Sequence, residues 1–355
     1  MAVGVREGGM GRIVLDAIGG DHAPSEVIKG VGLAIERGDV TAEDILLVGP
    51  DAQVREAVTA HGGAELAKIE VIDAPDLLAP GDTPIDAMRR KPRNSISVAV
   101  ELVKTRRAGA LVSAGSTGTV VAAATLGLGC LRGIRRPAIS AVIHGESNPF
   151  MVLDVGANPQ PKALHLAQYA IMGSAYYGGT FGVAKPKVGI LNIGSEELKG
   201  SPLVKEARGL LKAMPINFHG NIEGDELFAG TCHVVICDGF VGNVLLKVSE
   251  GLAEYVLRAM TTAMGKVGIP QDKIQGVLKT VMPQVDYSEY GGALLLGVDG
   301  VVTICHGRSE APAFCNAIRF AKKALSAEVN KHIVEGAGNA AMETNVESVP
   351  PKSTA

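Results

Sequence analysis

The sequence predicts an α/β fold in which a mainly parallel sheet carries helices on both faces. Three observations point there. Short apolar runs of strand length alternate with helical segments along most of the chain, as successive βα units do. The 45 glycines follow no collagen-like period and recur where the apolar runs end, as tight strand-to-helix turns require. With 355 residues, 46% of them hydrophobic and 20% charged, the chain can bury a large core, which excludes disorder for most of its length.

Residues 1–11 are Gly-rich and nonperiodic and read as a flexible leader, with Met10 an alternative start. The first strand is Ile13-Val14-Leu15, followed by the turn Asp16–His22. A helix opens at Pro24, a favoured first helical residue, with Val27, Ile28, Val31 and Ile35 on one face until Gly38. Strand 45–48 leads to a helix after Asp51. Strand 69–72 precedes a helix capped by Asn94, with Ile96, Val100 and Val103 inward. Strand 110–112 runs into Ser113–Gly118 and a helix of small residues. Strands 138–143 and 150–155 come next, the second ending in Asp154–Asn158, and then a helix over 162–177. Strand 188–193 precedes Gly194–Gly200 and a helix capped by Ser201 with Pro202 at its start. Strands 216–219 and 233–237, a helical region over 243–282, strand 301–305 and a helix from Ser309 complete one large domain over 12–335. The 243–282 region is longer than a crossover needs. The break at Gly268-Ile269-Pro270 divides it into a hairpin that projects from the sheet, and residues 336–355 read as a flexible tail.

Charge and composition exclude several functions. The net charge is −3, so no global field draws the chain to a polyanion, and the absence of Trp removes the best stacking platform for bases. Nucleic acid is therefore not an expected partner. Local basic clusters remain at Arg89-Arg90-Lys91 with Arg93, at Lys104 with Arg106-Arg107, and at Arg132 with Arg135-Arg136, each a solvated face or a docking patch. Five cysteines in apolar stretches make an odd number without repeating spacing, which fits a reducing cytoplasm better than a disulfide scaffold. No apolar run approaches the roughly 20 residues of a spanning helix, so a cytoplasmic protein is expected.

Familiar motifs fail on context. No P-loop, Gly-x-Ser-x-Gly elbow or His-Glu-x-x-His occurs. Gly336–Ala341 matches a dinucleotide fingerprint loosely but follows a helix, so no cofactor is expected. Cys232, His233 and Cys237 suggest a metal cluster, yet strand alternation is expected to send the two cysteines to opposite faces, so no metal is expected either.

In open α/β sheets ligands bind at the carboxyl ends of strands. Asp16–His22, Ser113–Gly118, Asp154–Asn158, Gly194–Gly200, His219–Asn221, Asp238–Asn243 and His306–Ser309 are polar, Gly-containing loops in such positions. In Ser113-Ala114-Gly115-Ser116-Thr117-Gly118, glycines expose N–H groups, hydroxyls add donors and the next helix points its positive end at the loop, which suits a phosphate. A plain Ser/Thr cap is the competing reading. Lys199 is either a point charge for an anion or a solvated lysine.

The ordered runs Leu15–Pro24, Ser113–Gly118, Leu153–Asn158, Leu191–Gly194, Gly220–Gly224, Cys237–Asn243 and Tyr290–Ala293 resemble the bacterial phosphate acyltransferase family PlsX over about residues 12–333. Ile18 stands where that family usually has Met, and Ala163-Leu164 follows Lys162 where Pro-Glu is common. The resemblance implies a three-layer α/β/α sandwich of the phosphotransacetylase and isocitrate dehydrogenase type. It also implies a homodimer that makes acyl phosphate from acyl-[acyl-carrier-protein] and inorganic phosphate, for phosphatidic acid and phospholipid synthesis. Peripheral contact with the membrane, or with the next acyltransferase of the pathway, goes with that role. The site residues it implies are Ser113, Gly115, Ser116, Thr117 and Gly118 for phosphate, and Lys199, Asn221, Asp238 and Asn243 for charge stabilisation and orientation. His306 is either proton donor to the thiolate or structural, and Asp16, His22 and Asn158 order loops or bind substrate. A phosphotransacetylase acting on a coenzyme A thioester, or a non-catalytic phosphate sensor, are the alternatives.

Overall fold

The structure, a computed structural model, describes residues 9–61, 63–79, 81–285 and 287–344. Its strands are β1 Ile13–Asp16, β2 Ile45–Gly49, β3 Glu70–Asp73, β4 Ala110–Ser113, β5 Ala138–Ile143, β6 Phe150–Leu153, β7 Lys187–Leu191, β8 Asn217–Ile222, β9 Val234–Ile236, β10 Ala293–Leu296 and β11 Val301–Ile304. Its helices are α1 Ser25–Glu36, α2 Asp51–His61, α3 Pro84–Arg90, α4 Ser95–Lys104, α5 Thr117–Leu128, α6 Ala163–Phe181, α7 Pro202–Lys212, α8 Gly239–Lys266, α9 Gln271–Val285, α10 Ala311–Ser326 and α11 Val329–Thr344. The strands form one sheet in the order β3-β2-β1-β4-β11-β10-β5-β6-β9-β7-β8.

Side-chain alternation builds the three layers. Along β1, Ile13 and Leu15 join the core under α1, α6 and α10, whereas Val14 joins the core under α4 and α5. Such strands are buried on both faces, which is why the sequence shows them as apolar runs. Helix α1 lies tightly on α10 because Gly30 faces it: a Cβ there would stand 2.9 Å from the Ala311 carbonyl oxygen.

The centre of the sheet is not parallel. β10 pairs antiparallel with both β11 and β5, and β5 pairs antiparallel with β6. β1, β2, β3, β4 and β11 therefore end on one edge, while β6, β7, β8 and β9 end on the opposite one. Sequence reading missed β10 because its four residues lie between Tyr290-Gly291-Gly292 and Gly297, where no period can develop. Gly291 and Gly292 have φ of +84° and +81°, a backbone turn that residues with a Cβ rarely make.

Four boundaries differ from the sequence reading. Helix α8 starts at Gly239, inside the Asp238–Asn243 run expected to be a loop before a helix from 243. The tail expected from Gly336 is helical up to Thr344: α11 packs Ile333 and Ala337 into the core, which overrides the low helix propensity of Gly336 and Gly338. Gly9–Gly11 form a 3₁₀ turn in the region read as leader, with Gly9 buried against the backbone of Arg106 and Arg107, while residues 1–8 lie outside those described. His219–Asn221 belong to β8 and are not a loop.

Helix α8 has 28 residues, about 42 Å of helix, whereas the strands beside it span roughly 10–20 Å. It starts at the end of β9, crosses the sheet and overruns the edge where β1, β4 and β11 end. Helix α9 returns to that edge, making the projecting hairpin. Among the described residues no helix is long and apolar enough to cross a membrane.

The start of α8 is pinned at Gly242, where a Cβ would press on the Asp154 carbonyl oxygen and lie 2.9 Å from the Cys237 sulfur. Gly→Ala in a helix gains at most about 1 kcal/mol, but overpacking against backbone costs about 1–3 kcal/mol. Gly242→Ala should therefore lower stability in urea unfolding. Gly251→Ala on the same helix, where a Cβ meets nothing within 4 Å, should raise it. Equal shifts in both variants would remove the packing argument.

Candidate active site

Three neighbouring strands deliver three loops to one edge. β1 ends in Asp16, β4 in Ser113, and β11 runs into Cys305, whose N–H donates to the Ser113 carbonyl at 2.9 Å. The Ser113 hydroxyl donates to Asp16 Oδ2 at 2.7 Å and accepts the Gly115 N–H at 3.0 Å. The Ile18 N–H donates to Asp16 Oδ1 at 3.3 Å, and the Asp21 N–H to the Gly307 carbonyl at 2.7 Å. Asp16 is buried, and burial raises its carboxyl pKa, partly opposed by hydrogen bonds from Ser95, Ser113 and the N–H groups of Ile18 and Gly19.

These loops enclose a cleft of about 580 Å³. One wall carries Ser116, Thr117 and Thr119 at the start of α5; Ser116 makes no side-chain cap bond, so the positive helix end is left for a ligand. The lining also includes the apolar residues Ile18, Leu77, Leu78, Ala79 and Ile96, of which Ile96 lies against Gly115 and Leu77 is 56% exposed. His306 lines the cleft too. Its Nδ1 accepts the Arg308 N–H at 3.1 Å, so in the neutral ring Nε2 carries the proton. Cys305 also lines the cleft, but burial pushes its thiol pKa up to about 12, so it is no thiolate nucleophile at neutral pH.

The structure divides the expected site residues. Gly115, Ser116, Thr117 and His306 line the cleft, and Gly118 follows in the exposed first turn of α5. Asp16 lines it too and orders the loops. Ser113, expected to contact phosphate, is fully buried with its hydroxyl bonded to Asp16 and to the Gly115 N–H, whereas Ser116 and Thr117 are exposed. His22 is exposed and does not line the cleft.

Lys199, Asn221, Asp238 and Asn158 lie at the opposite edge, because β6 to β9 run the other way. Asn158 donates through Nδ2 to the Pro137 carbonyl at 2.7 Å and to Asp154 Oδ2 at 3.0 Å. Asp238 caps α8, accepting the Phe240 and Val241 N–H groups at 3.0 and 2.9 Å. Asn221 Nδ2 ties down the neighbouring loop through the carbonyls of Gly194 and Glu196, at 3.3 and 2.9 Å. Lys199 is exposed on that loop. Asn243, on α8, sits beside Gly156 at that same opposite edge. One chain thus does not gather these residues at the Ser113–Gly118 loop, where the sequence reading expected a single site.

Sequence reasoning missed Asp21, Ser95, Thr119 and Lys247 in the cleft; for Lys247 the signal was there, since it lies four residues and one helical turn beyond Asn243. It also missed Asp154, a buried carboxylate that accepts the N–H groups of Ile139, Gly156, Ala157 and Asn158 at 2.7–3.1 Å. Cys232 and Cys237 share one core layer and do not face opposite ways, because β9 begins only at Val234. Among the described residues no group of three His, Cys, Asp or Glu side chains is placed to hold a metal. In the basic run, Lys91 pairs with Asp82 at 2.6 Å and Arg93 with Asp73 at 3.0 Å.

Sheet and cleft define an α/β protein with a cleft at a helix start on the edge of its sheet. The fold is shared with a phosphotransacetylase from Streptococcus pyogenes, at a TM-score of 0.61 and 19% identity over 90% of this chain and 95% of that one. The EutD phosphotransacetylase of Staphylococcus aureus aligns at 0.57 and 18% identity, over 88% and 94%. Sequence similarity is far closer elsewhere. The chain belongs to the phosphate acyltransferase family: the family profile described as "Fatty acid synthesis protein" matches residues 11–332, and the phosphate acyltransferases of Dictyoglomus turgidum and Heliobacterium modesticaldum are 43% and 44% identical over 332 and 335 residues. Those alignments cover 92% and 91% of this chain and 97% of each relative.

The raised pKa of Asp16 has a consequence for stability. The folded state holds this proton more tightly than the unfolded state, so the contribution of Asp16 falls as pH rises above the ordinary carboxylate value of about 3.9. Asp16→Asn removes that dependence. In urea titrations at pH 4 and pH 7, the variant's stability relative to the wild type should increase with pH; a decrease would mean that the carboxylate is stabilised in place.

Proposed function

We propose that this chain transfers the acyl group of acyl-[acyl-carrier-protein] to inorganic phosphate, giving acyl phosphate for phospholipid synthesis. The observation that carries the reading is the mixed lining of the cleft. Its α5 start suits a phosphate, and its Leu77, Leu78 and Ala79 lining suits the apolar group that must lie beside it. The names of the curated relatives support acyl transfer involving phosphate.

In this reading Ser116, Thr117 and the first turn of α5 orient phosphate, which needs no enzyme nucleophile. A phosphate oxygen attacks the thioester carbonyl carbon and forms the C–O bond. The tetrahedral oxyanion collapses, the C–S bond breaks with its electron pair on sulfur, and the thiolate takes a proton. His306 Nε2–H is the donor placed to stabilise the oxyanion or protonate the thiolate. Asp16 holds the loops in register.

The active species is a homodimer in the cytoplasm. Val244, Val248, Leu252 and Tyr255 form an exposed apolar stripe on α8, and Ile193 and Leu198 flank Lys199 at 82% and 86% exposure. Such surface fits contact with a second copy, and in that arrangement Lys199, Asn221 and Asp238 serve the cleft of the other protomer. The hairpin tip, with Val267 exposed beside Lys266, supplies peripheral membrane contact.

Purified protein given a long-chain acyl-[acyl-carrier-protein] and phosphate should yield acyl phosphate, trapped as hydroxamate, at a rate unchanged by chelator. Consumption of acyl-coenzyme A in preference to the carrier-protein thioester would favour the phosphotransacetylase alternative, and no consumption of either would end the enzymatic reading. Lys199→Ala and Thr117→Val should each lower turnover, the first by about 100-fold, and mixing the two should restore part of it through hybrid dimers. Wild-type turnover in Lys199→Ala would confine the chemistry to the cleft of one chain.

A further inference from the structure

The cleft is short of positive charge. The carboxylates of Asp16, Asp21 and Asp82 line it, and among the described lining residues Lys247 is the one lysine or arginine. Asp82 is balanced by Lys91 at 2.6 Å, and Asp16 is bonded by the Ser113 hydroxyl at 2.7 Å. The start of α5 supplies only about half a positive charge. A phosphate entering beside these carboxylates therefore needs a full cation.

Lys247 arrives from the other half of the molecule. Helix α8 starts at the far edge, and Lys247, its ninth residue, lies about 13 Å along it. That advance brings its side chain level with the cleft. Its Nζ donates to Glu250 Oε2 at 2.8 Å, an i,i+3 pair with side chains 55% and 25% exposed. Pairs so exposed to water are weak, and a lysine stem is flexible enough to turn to a stronger anion. The other oxygen of Glu250, Oε1, is buried without a hydrogen-bond partner, so the Lys247 ammonium is the charge that balances this carboxylate while it waits.

We propose that Lys247 is the phosphate-binding cation of the site, parked on Glu250 until phosphate enters and then transferred to it. The proposal rests on the reading above that phosphate occupies the α5 end of the cleft. In it Lys247 is a catalytic residue, because its ammonium touches the nucleophile, and Glu250 is a positioning residue. The same ammonium could instead grip the phosphate of a phosphopantetheine arm, which the test separates.

The test is steady-state kinetics of Lys247→Met, which keeps the apolar stem, and of Lys247→Arg. The double variant Lys247→Met/Glu250→Gln controls for an orphaned carboxylate. Both Met variants should raise the KM for inorganic phosphate by about 10- to 100-fold, leave that for the acyl thioester within about twofold, and be partly rescued by Arg. An unchanged phosphate KM overturns the proposal, as does a rise in the thioester KM alone. Phosphate-dependent thermal stabilisation is read in parallel and needs no turnover. If the wild type makes no acyl phosphate but is stabilised by inorganic phosphate, and Lys247→Met is not, the site stands while the enzymatic reading falls. Equal stabilisation of both proteins overturns the assignment of Lys247.

Discussion

The reversal of strand direction across β10, β5 and β6 governs this molecule more than any other single constraint. Without it, every polar loop that follows a strand would open on one edge of a parallel sheet. With it, the Asp16, Ser113 and His306 loops share one edge, and the Asp154, Lys199 and Asp238 loops share the other. Helix α8 is the element that spans both, capped by Asp238 at one end of its crossing and presenting Lys247 at the other.

At the cleft edge, the arrangement is held by a buried acid. Asp16 and Ser113 come from adjacent strands, 97 residues apart in sequence, and bond at 2.7 Å where water is excluded. A buried carboxyl bound by hydroxyls and N–H groups is costly to leave unpaired, so the two loops and the Gly115 N–H are locked together. That lock sets the start of α5, and with it the direction in which the uncapped helix end points. The glycines are needed here for contact as much as for flexibility: a Cβ at Gly19 would lie 2.8 Å from the Gly115 nitrogen.

The cleft of about 580 Å³ combines two kinds of surface: Ser116, Thr117 and Thr119 at the start of α5 supply hydroxyl donors, and Ile18, Leu77, Leu78 and Ala79 supply apolar area. The hairpin of α8 and α9 adjoins the cleft through Lys247 and carries exposed apolar residues, among them Val248, Leu252 and Val267.

Much of this was legible in sequence, for local reasons. The strands β1, β2 and β4, the Asn94 and Ser201 caps at helix starts, and the Ser113–Gly118 loop depend on apolar runs, caps and turn residues within a few positions of each other. The identity of the family was legible because its motifs are short and ordered. Tertiary structure alone decided the rest. Strand β10 is too short to show a period, and helix α11 contains glycines that only packing of Ile333 and Ala337 can overrule. The two groups of site residues look alike in sequence, since each follows a strand. Which edge each occupies depends on whether its strand pairs parallel or antiparallel with its neighbour, a long-range choice that no local pattern encodes. Lys247 escaped notice for the same reason: on an isolated helix it is one more exposed lysine, and only the crossing of α8 over the sheet brings it to the cleft.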